Sequence, residues 1–214
     1  MRRIHVTVFM LFLILTPLLH SDEQGWINNG AGFTLSPSLS LKLSNEVRNR
    51  ELTFINPFLK NWQGGFSLKL PANFSAVLLY KRENTEKTDF LLAENRFTLE
   101  AGWKTKISPA WDLDLRFRTE IRRFEKDLAE NHLRFRLRVR LKTKIKIGGL
   151  ELAPFIATEP FGDTLVDGIN RNRFYLGTYV VLSQNVELVA NYIRQDTKDK
   201  DVIHVFNTGI QLKF

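Results

Sequence analysis

The chain has no cysteine and only four histidines, His5, His20, His132 and His204. Without thiols there is no disulfide framework and no thiolate metal site. His132 and His204 are the only histidines beyond residue 21. No histidine pair and no acidic cluster stands at metal-ligand spacing, so the sequence implies no metal and no cofactor. A sustained helical period is also missing past the first twenty residues. What is present is ordinary in bulk: 214 residues, 43% apolar and 25% charged, enough for one domain with a core or a small barrel. The charge is not balanced. A formal +8 and a pI near 9.8 raise the question of an acidic partner such as nucleic acid.

The first residues bear on that question. Arg2 and Arg3 precede an apolar run from Val6 to Leu19, followed by His20-Ser21-Asp22-Glu23. A short basic region, an apolar stretch and a small residue at its end describe a secretory signal peptide over 1–21. The run is short for a bilayer-spanning helix. Cleavage after Ser21 would remove Arg2 and Arg3 and no acid, so +8 becomes +6. A secreted chain is not a cytoplasmic nucleic-acid binder, and residues 22–214 form the expected domain.

That domain alternates. From His132 to Lys142 the sequence reads H-L-R-F-R-L-R-V-R-L-K. A helix would scatter these arginines; a strand puts His132, Arg134, Arg136, Arg138, Arg140 and Lys142 on one face and Leu133, Phe135, Leu137, Val139 and Leu141 on the other. Trp111 to Arg122 repeats the pattern, with Asp112, Asp114, Arg116, Arg118, Glu120 and Arg122 opposed to Trp111, Leu113, Leu115, Phe117 and Ile121. Segments at 39–50, 62–70, 74–82, 94–107, 150–159, 171–182, 186–195 and 202–214 continue the series. Short turns at 36–38, 71–73, 108–110, 148–149 and 183–185 alternate with longer polar stretches at 83–93, 125–130, 160–170 and 196–201. Short turns on one side and longer loops on the other match an outer-membrane barrel. Aromatic residues near segment ends (Trp62, Phe74, Tyr80, Trp111, Phe124, Tyr192) suit interfacial girdles. The last strand ends at Phe214, with Leu212 and Ile210 on its face. This resembles the terminal signal by which the barrel assembly machinery recognises its clients.

The expected fold is therefore all-β, an antiparallel up-and-down transmembrane barrel in the bacterial outer membrane. About eleven segments are countable if 25–35 is included. Single-chain bacterial barrels have even strand numbers. The count is thus ten, if the first segment is not in the wall, or twelve, if 52–70 hides a further turn; twelve is favoured.

From Glu94 onward the chain resembles a family of outer-membrane barrels called domain of unknown function 2490. The resemblance rests on Glu94-Asn95-Arg96, L-D-L-R-F-R-T-E-I-R-R-F at 113–124 and N-H-L-R-F-R-L-R-V-R-L at 131–141. It continues through L-A-P-F-I-A-T-E-P-F at 152–161, N-R-N-R-F-Y-L-G at 170–177 and the strand ending at Gln195. It implies an outer-membrane place and a barrel fold, and carries no activity.

Within a barrel the polar face lines the lumen. The candidate functional residues are a basic ladder, Arg116, Arg118, Arg122, Arg134, Arg136, Arg138, Arg140, Lys142, Arg171 and Arg173. Its acidic partners are Glu100, Asp114, Glu120, Glu151 and Glu159. If the turn at 108–110 is tight, Glu100 falls opposite Arg118 and Lys104 opposite Asp114. Glu159 is placed to meet Arg134 or Arg136, and Glu151 to meet Lys142. Arg171 and Arg173 share lumen phase. Either Glu159 pins them, or they add a second basic cluster able to grip a carboxylate or phosphate. Basic groups outnumber acids, which leaves two readings open. One is a lumen that binds or passes small anions; the other is a plugged, salt-bridged lumen whose business lies in loops and envelope contacts. A lipid hydrolase would need a serine, a histidine and an orienting partner within reach. No serine sits at the height of His132, and His204 shares the outward phase of Phe214, so no catalytic residue is named. A rim protease built on Glu130 and His132 has little else behind it. The expected partners are outer-membrane lipids and the assembly machinery, with small anions in the first reading and no nucleic acid in either.

Overall fold

Period-two alternation commits each segment to a strand with one apolar and one polar face. A twisted sheet of such strands buries neither edge until it closes on itself. The computed structural model, which describes residues 23–52, 55–125 and 128–214, has closed in this way. The expected signal peptide, 1–21, lies outside the described residues. The strands are β1 (Glu23–Thr34), β2 (Leu39–Asn49), β3 (Pro57–Lys69), β4 (Phe74–Glu86), β5 (Leu91–Lys106) and β6 (Trp111–Phe124). They continue with β7 (His132–Thr143), β8 (Ile145–Ile147), β9 (Leu150–Asp163), β10 (Val166–Val181), β11 (Val186–Thr197) and β12 (Ile203–Lys213).

The wall holds eleven strands, and the twelfth element, β8, pairs only with β9. It prolongs β7 below the rim as one arm of a hairpin turned by Gly148 and Gly149, whose φ angles of 56° and 86° give the two left-handed positions of a type I′ turn. The count falls inside the expected range, but the inference from evenness does not hold. The first segment is a wall strand, and β3 runs unbroken through 57–69. With an odd number of alternating strands the first and last run the same way, so the seam between β1 and β12 is parallel. It runs from Glu23 opposite His204 to Gly32 opposite Lys213. Thr34 N–H bonds Phe214 O, and Phe214 N–H bonds Gly32 O, both at 2.8 Å. A Cβ on Gly209 would stand 1.8 Å from Asn28 O; only glycine permits that approach.

The remaining wall pairings are antiparallel and join successive wall strands. Following paired residues once round the wall returns to β1 about 14 residues away, a shear that tilts the strands by roughly 40°. Lumen side chains on adjacent strands therefore meet diagonally as well as straight across. Two stretches expected as loops, 83–93 and 160–170, are largely strand: pairing runs up to Glu86 opposite Leu91, and to Asp163 opposite Val166. Above the apolar band neither face of a hairpin need be apolar, so backbone pairing continues where the apolar signal has stopped.

The outward face is an uncovered apolar band, with Leu99, Phe117, Leu137, Ile156 and Leu176 all exposed. Aromatic contacts gird it near the short-turn rim (Phe33–Phe214, 5.1 Å between centroids; Phe74–Trp103, 6.3 Å) and higher up (Trp62–Tyr80, 5.6 Å; Tyr80–Phe97, 5.2 Å; Tyr192–Phe206, 5.6 Å). Trp62 lies within β3 rather than at its end, because that strand starts at Pro57.

Candidate functional site

Strand parity aims most of the charged residues of β5, β6, β7, β9 and β10 into the lumen. A charge withdrawn from water there must find donors or acceptors to replace it. Two carboxylates are the hubs of the result. Glu159 on β9 is 0% exposed; it accepts from Arg116 Nη2 at 2.7 Å, Arg136 Nη2 at 2.8 Å and Tyr175 Oη at 2.7 Å. Glu120 on β6 is 1% exposed; it holds Arg136 Nη1 at 2.8 Å and Arg118 Nη1 at 3.5 Å, with Arg96 at 3.7 Å and Arg134 at 3.9 Å. Arg136 thus spends one nitrogen on each hub and ties β6, β7 and β9 together.

Further pairs surround the hubs. Glu100 binds Arg118 through Nε at 2.6 Å and lies 3.5 Å from Arg116. Asp114 holds Arg140 at 2.7 Å, Arg138 at 3.2 Å and Lys104 at 3.7 Å. Glu94 takes two bonds from Arg122, at 2.7 and 2.6 Å, and two from Arg96, at 2.7 and 2.9 Å. Such two-point contacts fix orientation as well as distance. On the far wall Glu83 meets Lys81 at 3.0 Å and Arg96 at 3.3 Å, and Glu46 meets Arg48 at 2.7 Å. Asn61 donates to both acids. Beside them, with Arg48 3.8 Å from the Trp26 ring centroid, Trp26, Ile193 and Val205 form a buried apolar cluster, with Tyr175 and Ile203 packed against it. Ionic and apolar side chains together line the interior at this level.

Several expected contacts are present. Glu100 is opposite Arg118, Lys104 opposite Asp114, and Glu159 meets Arg136. Others differ. Arg134 turns instead to Asp163, at 2.8 Å. Glu151 meets Lys144 at 3.4 Å on the short-turn rim, and Lys142 has no acid within 4.0 Å among the described residues. Arg173 lies directly opposite Glu159 in register, yet the Glu159 carboxylate turns to β6 and β7, and neither Arg171 nor Arg173 has a carboxylate within 4.0 Å among the described residues. Glu46, Arg48, Lys81, Glu83, Glu94, Arg96 and Asp163 join the network although the ladder does not contain them. Parity could have found Glu46, Arg48, Glu94 and Arg96; Glu83 and Asp163 fell in stretches read as loops.

His132 lies in the lumen near the longer-connection rim. Its Nδ1 lies 2.9 Å from Glu130 O, and its Nε2 lies 3.0 Å from Arg122 and 3.3 Å from Asp163. His204 faces outward and shares a 2.5 Å hydrogen bond with Tyr192 Oη.

A family model described as "Protein of unknown function (DUF2490)" matches residues 23–204. The chain belongs to the DUF2490 family. The match takes in β1 to β4 as well as the strands from Glu94 onward, and so spans both the ionic and the apolar parts of the lumen. No curated protein matches this DUF2490 chain. Among solved structures it is similar to the crystal structure of the beta domain of the Bordetella autotransporter BrkA, at 14% identity over 86% of each chain with a TM-score of 0.57. At that identity the likeness is one of fold.

Proposed function

We propose that this DUF2490 protein is an outer-membrane barrel whose lumen is closed by its own ion pairs, a structural or interaction element rather than a conduit. The observation that carries this reading is Arg136 bridging two carboxylates that have essentially no exposed surface. An anion path needs cations free to trade partners along its length. Here most of the ladder already holds a carboxylate, and opening a path would leave buried charges uncompensated, at a cost of several kcal/mol each. The apolar outer band and the likeness to an outer-membrane autotransporter domain support the location. Lipids would cover the band, and Phe214 would present the assembly signal. The arginines line a closed interior, out of reach of a nucleic acid. No catalytic step belongs to this reading, since the His132 ring nitrogens are engaged by Arg122 and by the Glu130 carbonyl.

Planar-bilayer recording of the purified protein is the test. Wild type is expected to show no unitary conductance, whereas Glu120→Ala combined with Glu159→Ala is expected to leak. A steady anion-selective conductance from wild type would overturn the closed-lumen reading in favour of passage.

A further inference from the structure

We propose that Arg171 and Arg173 form a seat for a small soluble oxyanion, a phosphate or carboxylate group, entered from the longer-connection rim. The pair stands apart from the rest of the basic ladder. Four guanidinium groups surround the ring of Phe161: Arg136 and Arg134, at 4.5 and 6.0 Å from its centroid, hold carboxylates, while Arg171 and Arg173, at 5.6 and 5.0 Å, have none within 4.0 Å among the described residues. Arg173 is buried, and its Nε donates to a neutral acceptor, Gln195 Oε1, at 2.8 Å, while its other flank rests on Trp26 at 5.0 Å. Arg171 keeps partial exposure near the rim, and its Nε is buried without a hydrogen-bond partner. Asp163, on the neighbouring strand β9, is already taken by Arg134 and Asn170.

Among the described residues, Arg171 and Arg173 are the two cations at this ring without a carboxylate, and inside a narrow lumen that leaves their charge uncompensated. Cation–π contact with Phe161 orients them but supplies no counter-charge. What the arrangement lacks is acceptor oxygens, and two guanidinium groups against one ring suit a planar or tetrahedral oxyanion that accepts from both. The seat lies inside the wall, away from the lipid-facing side, which favours a solute over a lipid headgroup. It sits on the loop side of the Glu159 hub and does not depend on whether that hub blocks conduction.

The test uses the whole protein in phosphate-free, lipid-free detergent, with inorganic phosphate as probe and the urea unfolding midpoint and calorimetry as readouts. Phosphate is expected to bind saturably and raise the wild-type midpoint, as any ligand of the folded state does. Arg171→Gln and Arg173→Gln are each expected to weaken phosphate binding at least about tenfold. In phosphate-free buffer Arg171→Gln is expected to unfold at the wild-type midpoint or above it, because it removes an uncompensated charge. Arg171→Lys, which keeps the charge and loses the fork, should fall between. Arg138→Gln, whose partner is Asp114, should lower the midpoint and keep the phosphate response. No phosphate response in wild type would overturn the proposal. So would a full response in Arg171→Gln, or a phosphate-free midpoint well below wild type in that variant. A silent bilayer with phosphate binding leaves both readings standing, and conductance with binding sinks only the closed lumen.

Discussion

A carboxylate with no exposed surface survives only where donors replace its lost water. Glu159 has three such donors from three strands, and removing its charge takes a carboxylate from two guanidiniums at once, leaving Arg136 only Glu120 and Arg116 only Glu100. Glu159→Gln is therefore expected to cost about 3 kcal/mol or more in urea unfolding from micelles. The same change at Glu151, whose partner Lys144 is 64% exposed, should cost less than about 1 kcal/mol. Equal effects at the two sites would mean that the buried network contributes no more than a solvated pair. Much of this was legible at single positions. The two-residue period assigns Arg136 and Glu120 to the lumen without any knowledge of neighbours. Partner choice was not, because it depends on register and shear. Arg173 faces Glu159 directly and loses it to arginines reached across the diagonal.

At the scale of strands, alternation marks the part of each element that sits in lipid and falls silent above it. That is why β7 could be read to within a residue of its end, while β9 and β10 run well past their expected bounds. The seam was illegible for a different reason. Nothing in β1 or β12 alone says that they lie side by side, and an odd count emerges only from the closed structure. Glycine contacts now make the seam testable. Gly209→Ala forces a methyl against Asn28 O and is expected to destabilise the barrel by about 1–3 kcal/mol. Gly32→Ala, whose Cβ would meet nothing closer than Leu212 O at 3.9 Å, should be tolerated within about 1 kcal/mol. Loss of heat-modifiable mobility on gels would report both. Matching behaviour of the two variants would mean that the close approach is not what holds the seam.

For the whole molecule, the tight turns gather at one rim together with Phe214, and the other connections at the opposite rim. Absence of cysteine makes each introduced thiol an unambiguous reporter. Ser183→Cys and Lys198→Cys are both exposed and lie at opposite rims. A membrane-impermeant maleimide added to intact cells should label residue 198 and spare 183, with both labelled once the outer membrane is breached. The reverse pattern would invert the orientation.

The parallel seam also sets an order of events. Antiparallel neighbours in the wall can zip from their connecting turns as they emerge, each pairing made between stretches close along the chain. β1 must wait, because its partner begins at Ile203. An incomplete chain therefore presents an unpaired leading edge, with Trp26 in place and Val205 missing beside it. That edge stays open to pairing with another strand until the final strand arrives.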